Sequence, residues 1–167
     1  SHIIEFMKFL GPGAHLMGVC QPTVACLAAT AVMAESKDPC QPVSLTLMAG
    51  PVDARINPTA VNKLANEKPF EWFEQKLIDT VPQEFAGAGR RVYPGFLQLI
   101  AFMSMNPDRH RESFKNLYTN RLGGEDHQAD VIRNFYEEYF AIMDLSADFY
   151  LETIKHVFQD CALAKGT

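Results

Sequence analysis

Two short apolar runs flank one longer apolar stretch. The first run is Ala14-His15-Leu16-Met17-Gly18-Val19 and the second is Ser44-Leu45-Thr46-Leu47-Met48-Ala49. Each has the length of a strand. Between them, Thr23 to Glu35 carries Val24, Ala25, Cys26, Leu27, Ala28, Ala29, Ala31 and Val32. Its alanine-rich composition favours helix and lets a helix pack closely on a sheet. Pro22 suits the first turn, where a missing N–H costs nothing. Ser36 to Pro42 is a polar loop, and Gly50-Pro51 ends the second run. A helix crossing over between two continuous apolar strands is the βαβ unit of a parallel sheet. The pattern therefore predicts an α/β fold for the first part of the chain.

After Pro51 the character changes. The periodicity predicts helices over 59–66, 69–81, 94–105, 109–120, 128–143 and 146–162. The expected organisation is an α/β part over 1–56 followed by a helical insertion over 57–167. Phe70, Trp72, Phe73, Phe96, Phe102 and Phe114 fall in this part, and the simplest reading makes them helical core. A second reading has some of them line an apolar groove. At the front, Ile3, Phe6, Met7 and Leu10 recur at helical spacing, stopped by Gly11-Pro12-Gly13. The chain thus opens inside an amphipathic helix with no convincing cap and no signal-peptide pattern, as an internal piece of a longer protein would.

Composition excludes several classes. Twelve Phe, five Tyr and one Trp supply ample core-forming surface, which argues against a disordered chain. No apolar run approaches the roughly 20 residues that span a bilayer. A net charge of -5 argues against a nucleic-acid binder. Cys20, Cys26, Cys40 and Cys161 fit no zinc spacing, so neither metal nor cofactor is expected. With no secretory signal, a reduced cytoplasmic compartment is the expectation. Cys26 and Cys40 read as packed or bystander thiols.

Cys20 stands apart, because a strand ends at Val19 and a helix starts near Pro22. Gly18-Val19-Cys20-Gln21-Pro22 resembles the nucleophile elbow G-x-S-x-G of α/β-hydrolases. Small residues flank such a nucleophile because its backbone is strained and strand and helix come close. Gly18 meets that need; Pro22 departs from the pattern. In this context Cys20 is a candidate acyl nucleophile, and the backbone N–H of Gln21 is one half of an oxyanion hole. The five-residue pattern alone also fits a structural cysteine. His15, on the strand leading in, is expected to pack under the sheet. His110, His127 and His156 read as surface or satisfied residues. Asp53 follows the second strand, where some α/β-hydrolases place their acid, and equally suits a loop brace. Gly87-Ala88-Gly89-Arg90-Arg91 lacks the ending of a phosphate loop and reads as a turn between two helices, its arginines free to pair with helix carboxylates.

Longer stretches carry a more specific resemblance. Val19-Cys20-Gln21-Pro22, the segment from Leu45 to Asn62 containing Ala49-Gly50-Pro51-Val52-Asp53-Ala54-Arg55-Ile56-Asn57-Pro58, Gly87 to Gln98 with Met103-Ser104-Met105-Asn106, and Phe135-Tyr136-Glu137-Glu138-Tyr139 with Met143-Asp144-Leu145 and Phe149-Tyr150-Leu151 are similar to the intracellular polyhydroxyalkanoate (polyhydroxybutyrate) depolymerases. The resemblance runs through the chain in order. It implies a partial α/β-hydrolase sheet with a helical cap, and a storage-polyester granule in the cytoplasm as partner. It also implies ester hydrolysis through Cys20. The family's catalytic Asp and His would lie beyond Thr167, so the chain alone is expected to be inactive. An α/β-hydrolase with a cap needs well over about two hundred residues. Two other readings remain. Polyhydroxyalkanoate synthases also use an elbow cysteine, although they normally keep the second Gly that Pro22 replaces. A granule-binding protein could keep the fold without the chemistry.

Overall fold

The computed structural model describes residues 1–166. Packing divides the chain into two compact units. One comprises Ser1–Lys68 together with the chain from Glu152 onward; the other is Pro69–Leu151. The sequence division at residue 56 falls inside the first unit.

In the first unit, helix α1 (His2–Leu10) precedes strand β1 (Leu16–Val19), helix α2 (Pro22–Glu35), strand β2 (Leu45–Met48) and helix α3 (Ala60–Glu67). β1 and β2 pair in parallel, with Leu16 opposite Leu45 and Val19 opposite Met48. Strand, crossover helix and parallel strand therefore stand where the apolar pattern puts them. α2 buries Thr23, Cys26, Ala29 and Met33, a stripe at i, i+3 and i+4 spacing along one face. Gly18 is buried beneath that face, and a Cβ there would lie 3.0 Å from the Thr23 Cα and 3.1 Å from the Cys26 Sγ. Successive strand residues point to opposite faces. Met17, Val19 and Met48 are exposed while Leu16, Leu45 and Leu47 are half-buried, so the apolar strands are covered on one face among the described residues.

In α1 only Met7 is buried; Phe6, Phe9 and Leu10 are exposed, so its expected apolar face is not a buried one. Gly11, at φ +81°, ends the helix and donates its amide to the Met7 carbonyl at 3.0 Å. Thr59 caps α3 by accepting the Asn62 amide at 3.3 Å. Its other end is closed from far along the chain: Gln159 Nε2 donates to the carbonyls of Ala65 at 3.0 Å and Lys68 at 3.1 Å. Gln159 ends a π-helical segment, Thr153–Gln159, that lies against α3.

The second unit is not purely helical. Helix α4 (Phe70–Leu77) stops before β3 (Asp79–Thr80), which pairs antiparallel with β4 (Arg91–Tyr93). Helices α5 (Gly95–Ser104), α6 (Pro107–Leu122) and α7 (Asp126–Phe140) follow. Strand β5 (Leu145–Ser146) then pairs with β4 and leads into α8 (Ala147–Glu152). The glycine segment expected to link two helices is thus a hairpin connection. Val81 donates to the Arg90 carbonyl at 3.0 Å and Gly89 donates to the Val81 carbonyl at 3.0 Å, with Gly87 and Gly89 at positive φ. Two- and three-residue strands are too short for period-2 patterning to register. Arg91 pairs with Glu74 of α4 at 2.8 Å.

α6 and α7 form a helical hairpin around stacked rings. The Phe114 and Tyr136 centroids are 4.4 Å apart. Of the aromatic run expected as core, Phe73 is 2% exposed and Phe114 packs one side of its ring on Tyr136, whereas Phe96 and Phe102 lie on the surface. No helix of the described residues is long and apolar enough to cross a membrane.

Candidate active site

The parallel ladder ends one step past β1, where the Cys20 amide donates to the Met48 carbonyl at 2.8 Å. The backbone then turns sharply. Cys20 takes φ +61°, a left-handed conformation uncommon outside glycine. Gln21 is already helical at φ -54° and ψ -37°. The turn is closed from the helix side: Thr23 donates both its amide, at 3.1 Å, and its Oγ1 hydroxyl, at 2.7 Å, to the Cys20 carbonyl. The Cys20 thiol is left exposed at the start of a fourteen-residue helix.

The donors at this helix start are few. Pro22 has no N–H, Thr23 donates to the Cys20 carbonyl, and Val24 donates to the Gln21 carbonyl at 3.2 Å. The Gln21 N–H has no acceptor among the described residues. It follows the thiol directly in the chain, as an oxyanion donor must. Behind the turn the packing is tight enough to require glycine. A Cβ on Gly50 would fall 1.6 Å from the Thr23 Oγ1 and 2.5 Å from the Cys20 carbonyl oxygen. In the sequence Gly50 is visible only as a strand terminator, because the contact depends on β2 lying beside the elbow. Thr23 likewise looks like an ordinary first-turn residue.

No histidine hydrogen-bonds Cys20 among the described residues. His15 is exposed, not packed under the sheet, and its Nδ1 is 2.7 Å from the Ser44 Oγ. It precedes β1 while Cys20 follows it, a separation of about 13 Å or more at roughly 3.3 Å per strand residue. His110 Nδ1 lies 2.9 Å from the Tyr136 hydroxyl, a satisfied position between α6 and α7. His156 faces Asp160 at 3.7 Å. His127 is exposed in an open groove of the second unit, lined by Asn116, Asn120, Gln128, Val131 and Ile132.

Asp53 is committed to its own loop. Its carboxylate accepts Arg55 Nε at 2.8 Å, Arg55 Nη2 at 2.7 Å and the Arg55 amide at 3.1 Å. The guanidinium and then the amide hold its pKa at about 2, well below the ordinary 3.8. A carboxylate fastened this way braces a turn. The other cysteines are packed or part-covered: Cys26 and Cys161 are buried and Cys40 is half-buried. No group of His, Cys, Asp and Glu among the described residues is arranged to hold a metal ion.

Residues 49–167 match the family described as PHB de-polymerase C-terminus. The matched span starts at Ala49, so it takes in Gly50, Asp53 and the whole second unit but not Cys20 or Gln21. No curated protein and no solved structure matches the chain.

Proposed function

Because this chain belongs to the PHB de-polymerase C-terminus family, we propose that it is part of an enzyme that hydrolyses the ester bonds of polyhydroxybutyrate, with Cys20 as the nucleophile. In this reading β1, α2 and β2 are a piece of an α/β-hydrolase sheet and the helical second unit is its cap. The observation that carries it is the turn at Cys20. An exposed thiol on a left-handed residue between a parallel strand and a helix start, followed by an unpaired amide, is the geometry acyl transfer needs.

The chemistry follows from that geometry. The Cys20 Sγ, having given its proton to a general base, attacks the ester carbonyl carbon. The negative charge that develops on the carbonyl oxygen is met by the Gln21 N–H. The tetrahedral species collapses as the carbon–oxygen ester bond breaks, and the base returns the proton to the leaving hydroxyl. Water then attacks the thioester carbonyl carbon as the base takes its proton; the carbon–sulfur bond breaks and the base gives that proton to the departing sulfur. The products are a 3-hydroxyacid end and a free thiol. Among the described residues no base is assigned to Cys20, and in this reading the chain alone is expected to show little turnover.

The substrate is an uncharged polyester, so contact with it is apolar. Phe96 and Ile100, one turn apart on α5, are both exposed, an apolar strip that supports this helix as a polymer contact. A storage granule in the cytoplasm is the partner this reading implies.

The test is release of 3-hydroxybutyrate from amorphous polymer granules by the complete enzyme and by its Cys20→Ala variant. The expected result is loss of release in the variant with granule binding retained. Wild-type release by Cys20→Ala would overturn the assignment. Polymer growth from 3-hydroxybutyryl-CoA would point to synthesis, and binding without any release would point to a granule scaffold.

A further inference from the structure

We propose that Thr23 is a positioning residue for Cys20. Its hydroxyl and amide together hold the Cys20 carbonyl, and that grip keeps the thiol-bearing residue in its left-handed conformation. The inference rests on the reading of Cys20 as nucleophile.

Three observations meet here. Thr23 is fully buried, at 0% exposure, in a helix whose other buried residues are cysteine, alanine and methionine. A hydroxyl in such a place is unfavourable unless it is bonded. Its bond goes to the one carbonyl that defines the turn, at 2.7 Å, alongside the Thr23 amide at 3.1 Å. That carbonyl belongs to a non-glycine residue at φ +61°, a conformation that persists only when its surroundings over-determine it. Finally, the space for the hydroxyl exists because residue 50 has no side chain: a Cβ there would overlap the Thr23 Oγ1 at 1.6 Å. The end of β2, the start of α2 and the Cys20 carbonyl are therefore fitted to one another through this hydroxyl.

A packing role predicts that size at position 23 matters; a positioning role predicts that the hydroxyl matters. Thr23→Ser keeps the donor without the methyl, Thr23→Ala differs from Ser only in lacking the hydroxyl, and Thr23→Val removes the hydroxyl while keeping the shape of Thr. Alkylation by iodoacetamide, followed cysteine by cysteine with mass spectrometry, reads Cys20 directly. Buried Cys26 and Cys161 report in the same samples whether the fold has opened. The expected result is that Ala and Val slow Cys20 alkylation by about three- to tenfold, the value of one net hydrogen bond. Ser stays near wild type, and Cys26 and Cys161 stay protected in all three. On granules, the complete enzyme should lose kcat by a similar factor in Ala and Val, with KM unchanged.

Equal Cys20 alkylation in the Ser and Ala variants would overturn the proposal. So would a loss of reactivity in Val alone accompanied by labelling of Cys26. Full hydrolysis by Cys20→Ala is a different failure. It removes the nucleophile reading, while the Ser-against-Ala comparison still decides whether Thr23 sets the reactivity of Cys20.

Discussion

Asp144 caps a helix from forty-nine residues away: its Oδ1 accepts the Gly95 amide, the first of α5, at 2.7 Å. The residue before that helix is Pro94, which offers no side-chain cap. The approach is close, and a Cβ on Gly95 would lie 2.5 Å from the Ile142 carbonyl oxygen. Gln98 reinforces the junction by donating Nε2 to the carbonyls of Tyr93 and Met143, both at 3.1 Å. The start of α5 and the segment before β5 are thus joined through polar side chains.

Removing that cap has a calculable cost. Asp144→Ala leaves a buried helix-start amide without its acceptor and is expected to destabilise the chain by about 0.5–2 kcal/mol. Asp144→Asn keeps an acceptor oxygen and should lose less. Urea unfolding of the two variants checks this, and equal midpoints for Ala and wild type would show that the bond contributes nothing.

The exposed face of α5 makes a separate claim. Burying a large apolar side chain is worth about 1.5–3 kcal/mol. Replacing both Phe96 and Ile100, which are 62% and 61% exposed, with Ser should weaken sedimentation with polymer granules by about tenfold or more. Hydrolysis of a short soluble 3-hydroxybutyrate ester by the complete enzyme should not change. Unaltered granule binding would remove α5 from the polymer contact.

Asp53 gives the chain a pH signature. Its folded pKa, held at about 2 by Arg55, lies below the ordinary 3.8, so the unfolded chain binds this proton more readily. Its contribution to stability is therefore complete above about pH 4 and is lost as the pH falls through 2. The pair is solvent-accessible, so the effect is small. Melting temperature should decline less between pH 5 and pH 2 in Asp53→Asn than in wild type. Parallel curves would mean that the bracket with Arg55 does not couple to folding.

The parts of this structure that were legible in the sequence are those written in local periodicity. The β1–α2–β2 order follows from two apolar runs and an alanine-rich stretch, and the elbow at Cys20 follows from where they meet. The hairpin of β3 and β4 was not legible, since strands of two and three residues leave no alternation to read and Gly87 and Gly89 suit any turn. His15 was misplaced because nothing local foretells that it meets Ser44, twenty-nine residues on. Phe96 and Phe102 read as core because aromatic residues usually are, whereas burial depends on what an α5 side chain meets in space. At the site, Cys20 and Gln21 were visible by type and spacing. Thr23 and Gly50 were not, because their roles arise from a contact between two elements more than twenty residues apart.

That contact yields the most restrictive expectation. A methyl group at position 50 meets three atoms at once: the Thr23 Oγ1 at 1.6 Å, the Cys20 carbonyl oxygen at 2.5 Å and the Thr23 Cβ at 2.5 Å. None is the far end of a flexible side chain, so backbone has to move. Gly50→Ala should destabilise the chain by about 1–3 kcal/mol, the range for overpacking, and should alter Cys20 alkylation as the carbonyl is displaced. Pairing it with Thr23→Ala relieves the overlap with the hydroxyl and leaves those with the Thr23 Cβ and the Cys20 carbonyl. The double variant should therefore be less destabilised than the sum of the two singles, yet should not return to the level of Thr23→Ala alone. Strict additivity in urea unfolding would mean that the two positions do not touch. Full recovery would mean that the hydroxyl is the whole obstacle and that the Cys20 carbonyl is free to yield.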